Sequence, residues 1–148
     1  MEKEEREKRR NNLIIFNLPE SNKNQGQERV KEDADRCEYV FGGALGVEEY
    51  SFDKVIRLGK KQEGRNRPTL VRMTEEHSKW SVIARGKQLR QSEDDVIKSL
   101  IIVPDLTEKQ REEETQLRQE LKRRRENGEM CIIKRGRIVS QENYRRSY

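Results

Sequence analysis

The feature that most limits this chain is the distribution of its apolar residues, which come in short runs cut off by proline, glycine or clustered charge. Only short strands and short amphipathic helices fit such runs. In "RRNNLIIFNLPE" the isoleucine-rich stretch Leu13 to Leu18 stops at Pro19 and predicts a buried strand. A polar loop, Glu20 to Gly26, leads to Val30, Ala34, Cys37 and Phe41 at helical spacing. Asn24 with Gln27 predicts a capping box for that helix, and Gly42-Gly43 its end. "FDKVIRLGK" predicts a second strand, followed by a basic loop holding Lys60, Lys61, Gly64, Arg65 and Arg67. "PTLVRM" predicts a third, with Thr69, Val71 and Met73 on one face and Leu70 and Arg72 on the other. Trp80, Ile83, Ala84 and Lys87 mark a second helix, weakened by Gly86, with Trp80 as a packing residue, and "KSLIIVPDL" is a fourth strand ended by proline.

Strand, helix, strand, strand, helix, strand is the order of the split βαβ, ferredoxin-like fold: an α+β domain with four antiparallel strands and two helices on one face. Its predicted core combines Leu13, Ile15, Val30, Ala34, Phe41, Phe52, Ile56, Val71, Ile83, Leu100 and Ile102. With 30% hydrophobic and 41% charged residues, little more of the chain can be core. Beyond Pro104, Thr107 and Gln110 form a capping box for a charged helix with Leu117 and Leu121 as its apolar contacts and Gly128 as its stop. "MCIIKRGRIVS" predicts a hairpin, Cys131–Ile133 against Arg137–Val139, turning at Arg135-Gly136. The predicted divisions are a charged helical lead-in at 1–10, the sheet domain at 11–106, helix plus hairpin at 107–140, and a tail at 141–148.

Several function classes fall away. No apolar run approaches the roughly 20 residues that cross a bilayer. Cys37 and Cys131 form no CxxC pair and read as reduced thiols of an intracellular protein. His77 is the sole histidine, and no nucleophile–base set, metal-ligand spacing or phosphate-cradling glycine loop is visible, so the expectation is no enzyme, cofactor or metal. Glu48-Glu49 and Asp94-Asp95 read as solubilising turn residues. A net charge of +5 matters only where bases cluster, and there it suits a polyanion.

The bases do cluster. A four-stranded sheet covered on one side leaves the other open, and the RNA-recognition-motif class uses that face for single-stranded RNA. "LIIFNLP" resembles the first-strand signature of that class, with Ile14 where a stacking aromatic stands and Phe16 the only ring of that parity. In the third strand Pro68 and Leu70 take the aromatic places. Arg57 and Arg72 are predicted on the open face, where guanidinium planes stack on bases and pair with phosphates. Lys60, Lys61, Arg65 and Arg67 suit a phosphate clamp and a solvated loop equally. Arg123, Arg124 and Arg125 suit phosphates or the helix dipole. Lys134, Arg135 and Arg137 at the hairpin tip favour nucleic acid.

In order and spacing, "RRNNLIIFNLPE", "VIRLGK", "RPTLVRM" and "PDLTEKQREEETQLRQELK" resemble the first-open-reading-frame proteins of LINE-type non-LTR retrotransposons, over about residues 9 to 139. The resemblance implies an atypical RNA-recognition domain followed by a small C-terminal domain, with single-stranded RNA or DNA held by basic residues along the cleft between them. It implies a nucleic-acid chaperone that coats its own transcript in a ribonucleoprotein, cytoplasmic or nuclear. It adds Lys87 and Arg111 to the basic positions already named. Members of the family carry a trimeric coiled coil upstream, of which residues 1–10 would be the charged end, and self-association would run through it. The competing expectation is an assembly module whose aromatic-poor sheet binds a protein segment instead of RNA.

Overall fold

The computed structural model describes residues 1–134 and 136–141. Arg135, expected at the hairpin turn, and positions 142–148 of the predicted tail lie outside the described residues. The chain forms two compact units: Glu7–Asp105, and Met1–Arg6 together with the segment that starts at Leu106.

After a charged helix, α1 (Glu2–Arg9), the first unit runs β1 (Asn12–Phe16), α2 (Gly26–Glu38), β2 (Phe52–Arg57), β3 (Thr69–Met73), α3 (Glu76–Arg85), α4 (Asp95–Ser99) and β4 (Ile101–Pro104). The strands form one antiparallel sheet in the order β2-β3-β1-β4, so this is an α+β protein. Strand pleating puts alternate residues on opposite faces. Leu13, Ile15, Val55, Thr69, Val71, Met73 and Ile102 are buried on one face. There they join Cys37, Val40 and Phe41 after β1, and Val82 and Leu89 after β3, in one apolar core. Three rings, Phe41, Tyr50 and Phe52, meet in this region with centroids 5.6 to 6.4 Å apart. The chain leaves β1 through Asn17 in the left-handed region (φ 72°), which asparagine tolerates better than most residues, and its amide donates to the Ser99 carbonyl at 2.8 Å.

Several expectations need correction. Ile56 is exposed and Val55 is buried in its place. The cause is a β-bulge: Phe52 pairs with Met73 and Lys54 with Arg72, which leaves Asp53 as an extra residue. One inserted residue reverses the parity of everything after it, so Val55 and Arg57 face the helices. In α2, Val30 is exposed and the inward stripe is Asp33, Ala34, Cys37, Val40 and Phe41. The helix is capped by the backbone of Gln25 with no side-chain bond, so the Asn24–Gln27 box does not form. The helix does not end at Gly42-Gly43 either. It continues as a π-helical turn over Tyr39–Ala44, where a Cβ on Gly42 would lie 2.9 Å from the Tyr50 hydroxyl. In α3 the buried residues are Ser78, Lys79 and Val82, and Trp80 is exposed with the Lys79 ammonium 4.5 Å from its ring centroid. Helix α4 was not anticipated. Asp94 caps it, its carboxylate accepting from the Val96 and Ile97 amides, so Asp94 has a structural duty beyond solubility.

The second unit holds α5 (Glu108–Glu126) and the hairpin β5 (Cys131–Lys134) with β6 (Arg137–Ser140). Thr107 and Gln110 form the expected capping box, and Gly128 takes the left-handed conformation (φ 89°) that stops the helix. Arg125 donates to the Cys131 carbonyl at 3.1 Å and ties the helix to the hairpin. Among the described residues no helix is long and apolar enough to cross a membrane.

Candidate nucleic-acid interface

The face of the sheet opposite the core carries an aliphatic row. Ile56 pairs with Leu70, Leu70 with Ile14 and Ile14 with Val103, so one side chain from each strand stands in line across all four. Phe16 pairs with Ile101 in the neighbouring row. Phe16 (37%), Ile56 (37%) and Ile101 (47%) are exposed to an extent unusual for large apolar residues of a sheet. Phe41, Tyr50 and Phe52 pack in or against the core, so among the described residues Phe16 is the ring that this face presents.

Cations stand at both ends of this face. At one end Arg72 pairs in register with Lys54 across the β2–β3 ladder and with Asn12 across β1. Arg72 lies on the open face as expected, 47% exposed, and donates to Asp53 at 2.7 Å. That hydrogen bond and charge hold the Asp53 carboxyl below the usual carboxylate range, with Lys54 adding to the effect, and raise Arg72. An exposed pair of this kind is weak and screened by salt, so a phosphate can compete with Asp53. Lys54 was missed because unbulged alternation puts it on the core face with Phe52.

At the other end the β2–β3 loop forms a polar basin of about 610 Å³ lined by Asn17, Lys60, Gln62, Arg65, Asn66 and Arg67, among others. Lys60, Lys61 and Arg65 are exposed and make no ion pair among the described residues. Arg67 differs. It is half-buried and bound to Glu20 at 2.7 Å. Burial works to raise the Glu20 carboxyl, but the hydrogen bonds and charge of Arg67 outweigh it and leave that carboxyl lowered. Arg67 therefore braces the basin while its neighbours face outward.

Arg57 is the main correction. Its side chain is 6% exposed and points to the helical side, where it meets Asp33 of α2, itself 8% exposed. Nε donates to Asp33 at 3.1 Å, and one terminal nitrogen donates to the carbonyls of Leu18 and Arg67 at 2.7 and 2.8 Å. The other donates to the Pro19 carbonyl at 2.7 Å and to Asp33 at 2.8 Å. A guanidinium has five N–H donors, and all five are occupied. Arg57 belongs to the scaffold and has nothing left to offer a phosphate.

The remaining candidates are dispersed. Lys87 is exposed in the 3₁₀ turn Gly86–Gln91, part of the helical layer, where Leu89 packs into the core. In the second unit Arg111, Lys134 and Arg137 are exposed. Arg123 and Arg124 share Glu120, at 2.5 and 3.2 Å, and their hydrogen bonds push that carboxyl down to about 2. Their expected role at the helix C-terminus is thus supplemented by a local acid. Compared with models of known families and with curated proteins, the chain matches none.

Proposed function

We propose that the Glu7–Asp105 unit is a ferredoxin-like domain of the RNA-recognition-motif type, and that the chain binds single-stranded nucleic acid, RNA first, as the transcript-coating chaperone of a LINE-type retrotransposon. The four sequence blocks support the family reading. Strand order β2-β3-β1-β4, with the core helices on one face, supports the fold reading. The observation that carries the function is an exposed apolar sheet face with exposed cations at both of its ends, of which Arg72 is held only by an exposed Asp53.

In this reading bases lie on Ile14, Leu70 and Phe16, and phosphates run from Lys54 and Arg72 toward Lys60, Lys61 and Arg65. Stacking on one ring is worth about 1–3 kcal/mol per base. With Phe16 the one ring on this face among the described residues, affinity is led by charge and tolerates sequence. Arg111, Arg123, Arg124, Lys134 and Arg137 add positive charge on the second unit. A fluorescence-anisotropy titration with labelled single-stranded RNA between about 50 and 200 mM salt tests this. Binding that weakens steeply with salt, and a slope reduced by about 0.7 for each phosphate contact removed in Lys60→Ala and Lys61→Ala, is expected. No binding, or binding indifferent to salt and to both substitutions, refutes it.

A second reading rests on one observation. The open face is aliphatic rather than aromatic, and Ile14, Ile56, Leu70, Ile101 and Val103 suit a protein segment better than a base. A protein ligand that displaces no RNA and binds the Ile56→Glu variant poorly would favour it.

A further inference from the structure

A second apolar surface lies in the helical layer of the same unit. It is a groove of about 290 Å³ between α2, its π-helical extension and α4, lined chiefly by apolar atoms. Leu18, Val40, Ile97 and Leu100 form the floor and belong to the core. Pro19, Tyr39 and Val96 form the walls, and Tyr39 and Val96 are both exposed. A volume of that order, at the lower end for ligand pockets, admits a single large apolar side chain.

The rim decides the partner. Three charged residues line it: Glu32, Asp35 and Arg36. The Arg36 terminal nitrogens are occupied, one by Glu32 at 2.5 Å and the other by the Pro19 carbonyl. Glu32 also accepts from the Ser21 hydroxyl at 2.9 Å. Asp35 is exposed and makes no ion pair among the described residues. At the start of α4, beside Val96, stands the exposed Asp95. The rim is therefore net negative in a protein whose overall charge is positive. A polyanion is disfavoured there, because the groove's lining cation, Arg36, is already held by Glu32 and the Pro19 carbonyl.

We propose that this groove docks a peptide segment of a partner protein, seating one aromatic or branched aliphatic side chain between Tyr39 and Val96 and placing an adjacent lysine or arginine against Asp35. The walls of Pro19, Tyr39 and Val96 and the apolar floor provide contact, and the acid supplies orientation and selectivity. The site does not depend on the nucleic-acid reading. It lies on the helical layer, so peptide and oligonucleotide have separate seats.

The test is selection of peptides from a random phage-displayed library on the full chain, with Val96→Arg as the counter-selected variant. Circular dichroism and melting of Val96→Arg and Asp35→Arg establish that both are folded before binding is read. The expected result is a set of peptides combining one large apolar residue with a neighbouring lysine or arginine. Synthetic copies should bind the parent chain and lose roughly tenfold or more in affinity for each variant, about 1.4 kcal/mol per tenfold. Saturating single-stranded RNA should leave their affinity unchanged. Peptides that bind folded Val96→Arg as well as the parent overturn the proposal, and so do enriched peptides that are acidic or lack a base. Concentration-dependent dimerisation abolished by Val96→Arg would also overturn it by making a second copy the occupant. Failure of RNA to bind at all would refute only the function proposed above.

Discussion

Arg57 and Arg72 lie on neighbouring strands of one sheet, and the same residue type does opposite things on its two faces. Arg72 is half-exposed and held by one exposed carboxylate. Arg57 is sealed beneath α2 with both oxygens of Asp33 and three main-chain carbonyls around it. Those carbonyls belong to the exit of β1 and the entry to β3, so the guanidinium stitches together segments that no ladder bond joins. The comparison teaches that an arginine in a strand is a ligand contact only when its donors are unfilled. The bulge at Asp53 assigns that state here, because without it Arg57 would stand on the open face.

The largest effect is expected from Arg57→Ala. It leaves the buried Asp33 carboxylate and the carbonyls of Leu18 and Arg67 without the donors Arg57 supplies, while Arg36 still donates to the Pro19 carbonyl. Removing one partner of a buried pair costs about 3–5 kcal/mol, a large share of the stability of a domain this size. Asp33→Ala should cost a similar amount. Urea unfolding followed by circular dichroism reads both. Arg57→Lys should recover only part of the loss, because three ammonium donors cannot serve five acceptors. If Arg57→Ala instead melts like the parent and merely binds RNA less tightly, the contrast between the faces is wrong.

Arg72→Ala should show the reverse pattern. Its melting midpoint should match the parent, while RNA affinity falls and the salt-dependence slope drops by about 0.7. An unchanged slope would remove Arg72 from the interface and leave the basin loop as the cationic end.

The smallest effect concerns the thiol on the buried side. Burial pushes Cys37 up from its ordinary 9.0 to about 12, with Asp33 adding to the rise. The native thiol should therefore resist alkylation below pH 9 and react once the chain unfolds. The sign for stability follows from linkage. Below pH 9 the thiol is protonated in both states and the native state loses nothing. Between pH 9 and 12 only the unfolded chain ionises, which drains stability as pH rises. Rapid labelling of native protein at neutral pH would show that the helix-covered face is open.

Local chemistry made much of the fold legible. Pro19 cannot continue the central strand β1, Pro104 closes the edge strand β4, Thr107 with Gln110 satisfies orphan amides of α5, and Gly128 accepts a conformation that a side chain resists. The hairpin follows from alternation around a glycine turn. Each depends on residues within a few positions of one another, and sequence spacing measures that distance well. The open-face position of Arg72 belongs with them, since β3 alternates without interruption.

Tertiary packing decided the rest. Val30 and Asp33 both lie within reach of an inward stripe on α2, and hydrophobicity favours Val30. A buried arginine on another strand reverses that preference, because desolvating Asp33 is offset only where Arg57 meets it. Trp80 looks like core by composition, yet Lys79 is the buried one, its ammonium donating to the Arg10 carbonyl at 2.8 Å. The single extra residue at Asp53 leaves no mark in the pattern of types, since its register exists only against Met73 and Arg72 of another strand. The amino-acid order by itself determined the kind and order of the strands, α5 and the hairpin, though not α4 or the π-helical end of α2, because those are short-range matters of dihedral preference and periodicity. Which face each charge occupies was settled only by the paired, folded chain, because burial of a charge is decided by its partner.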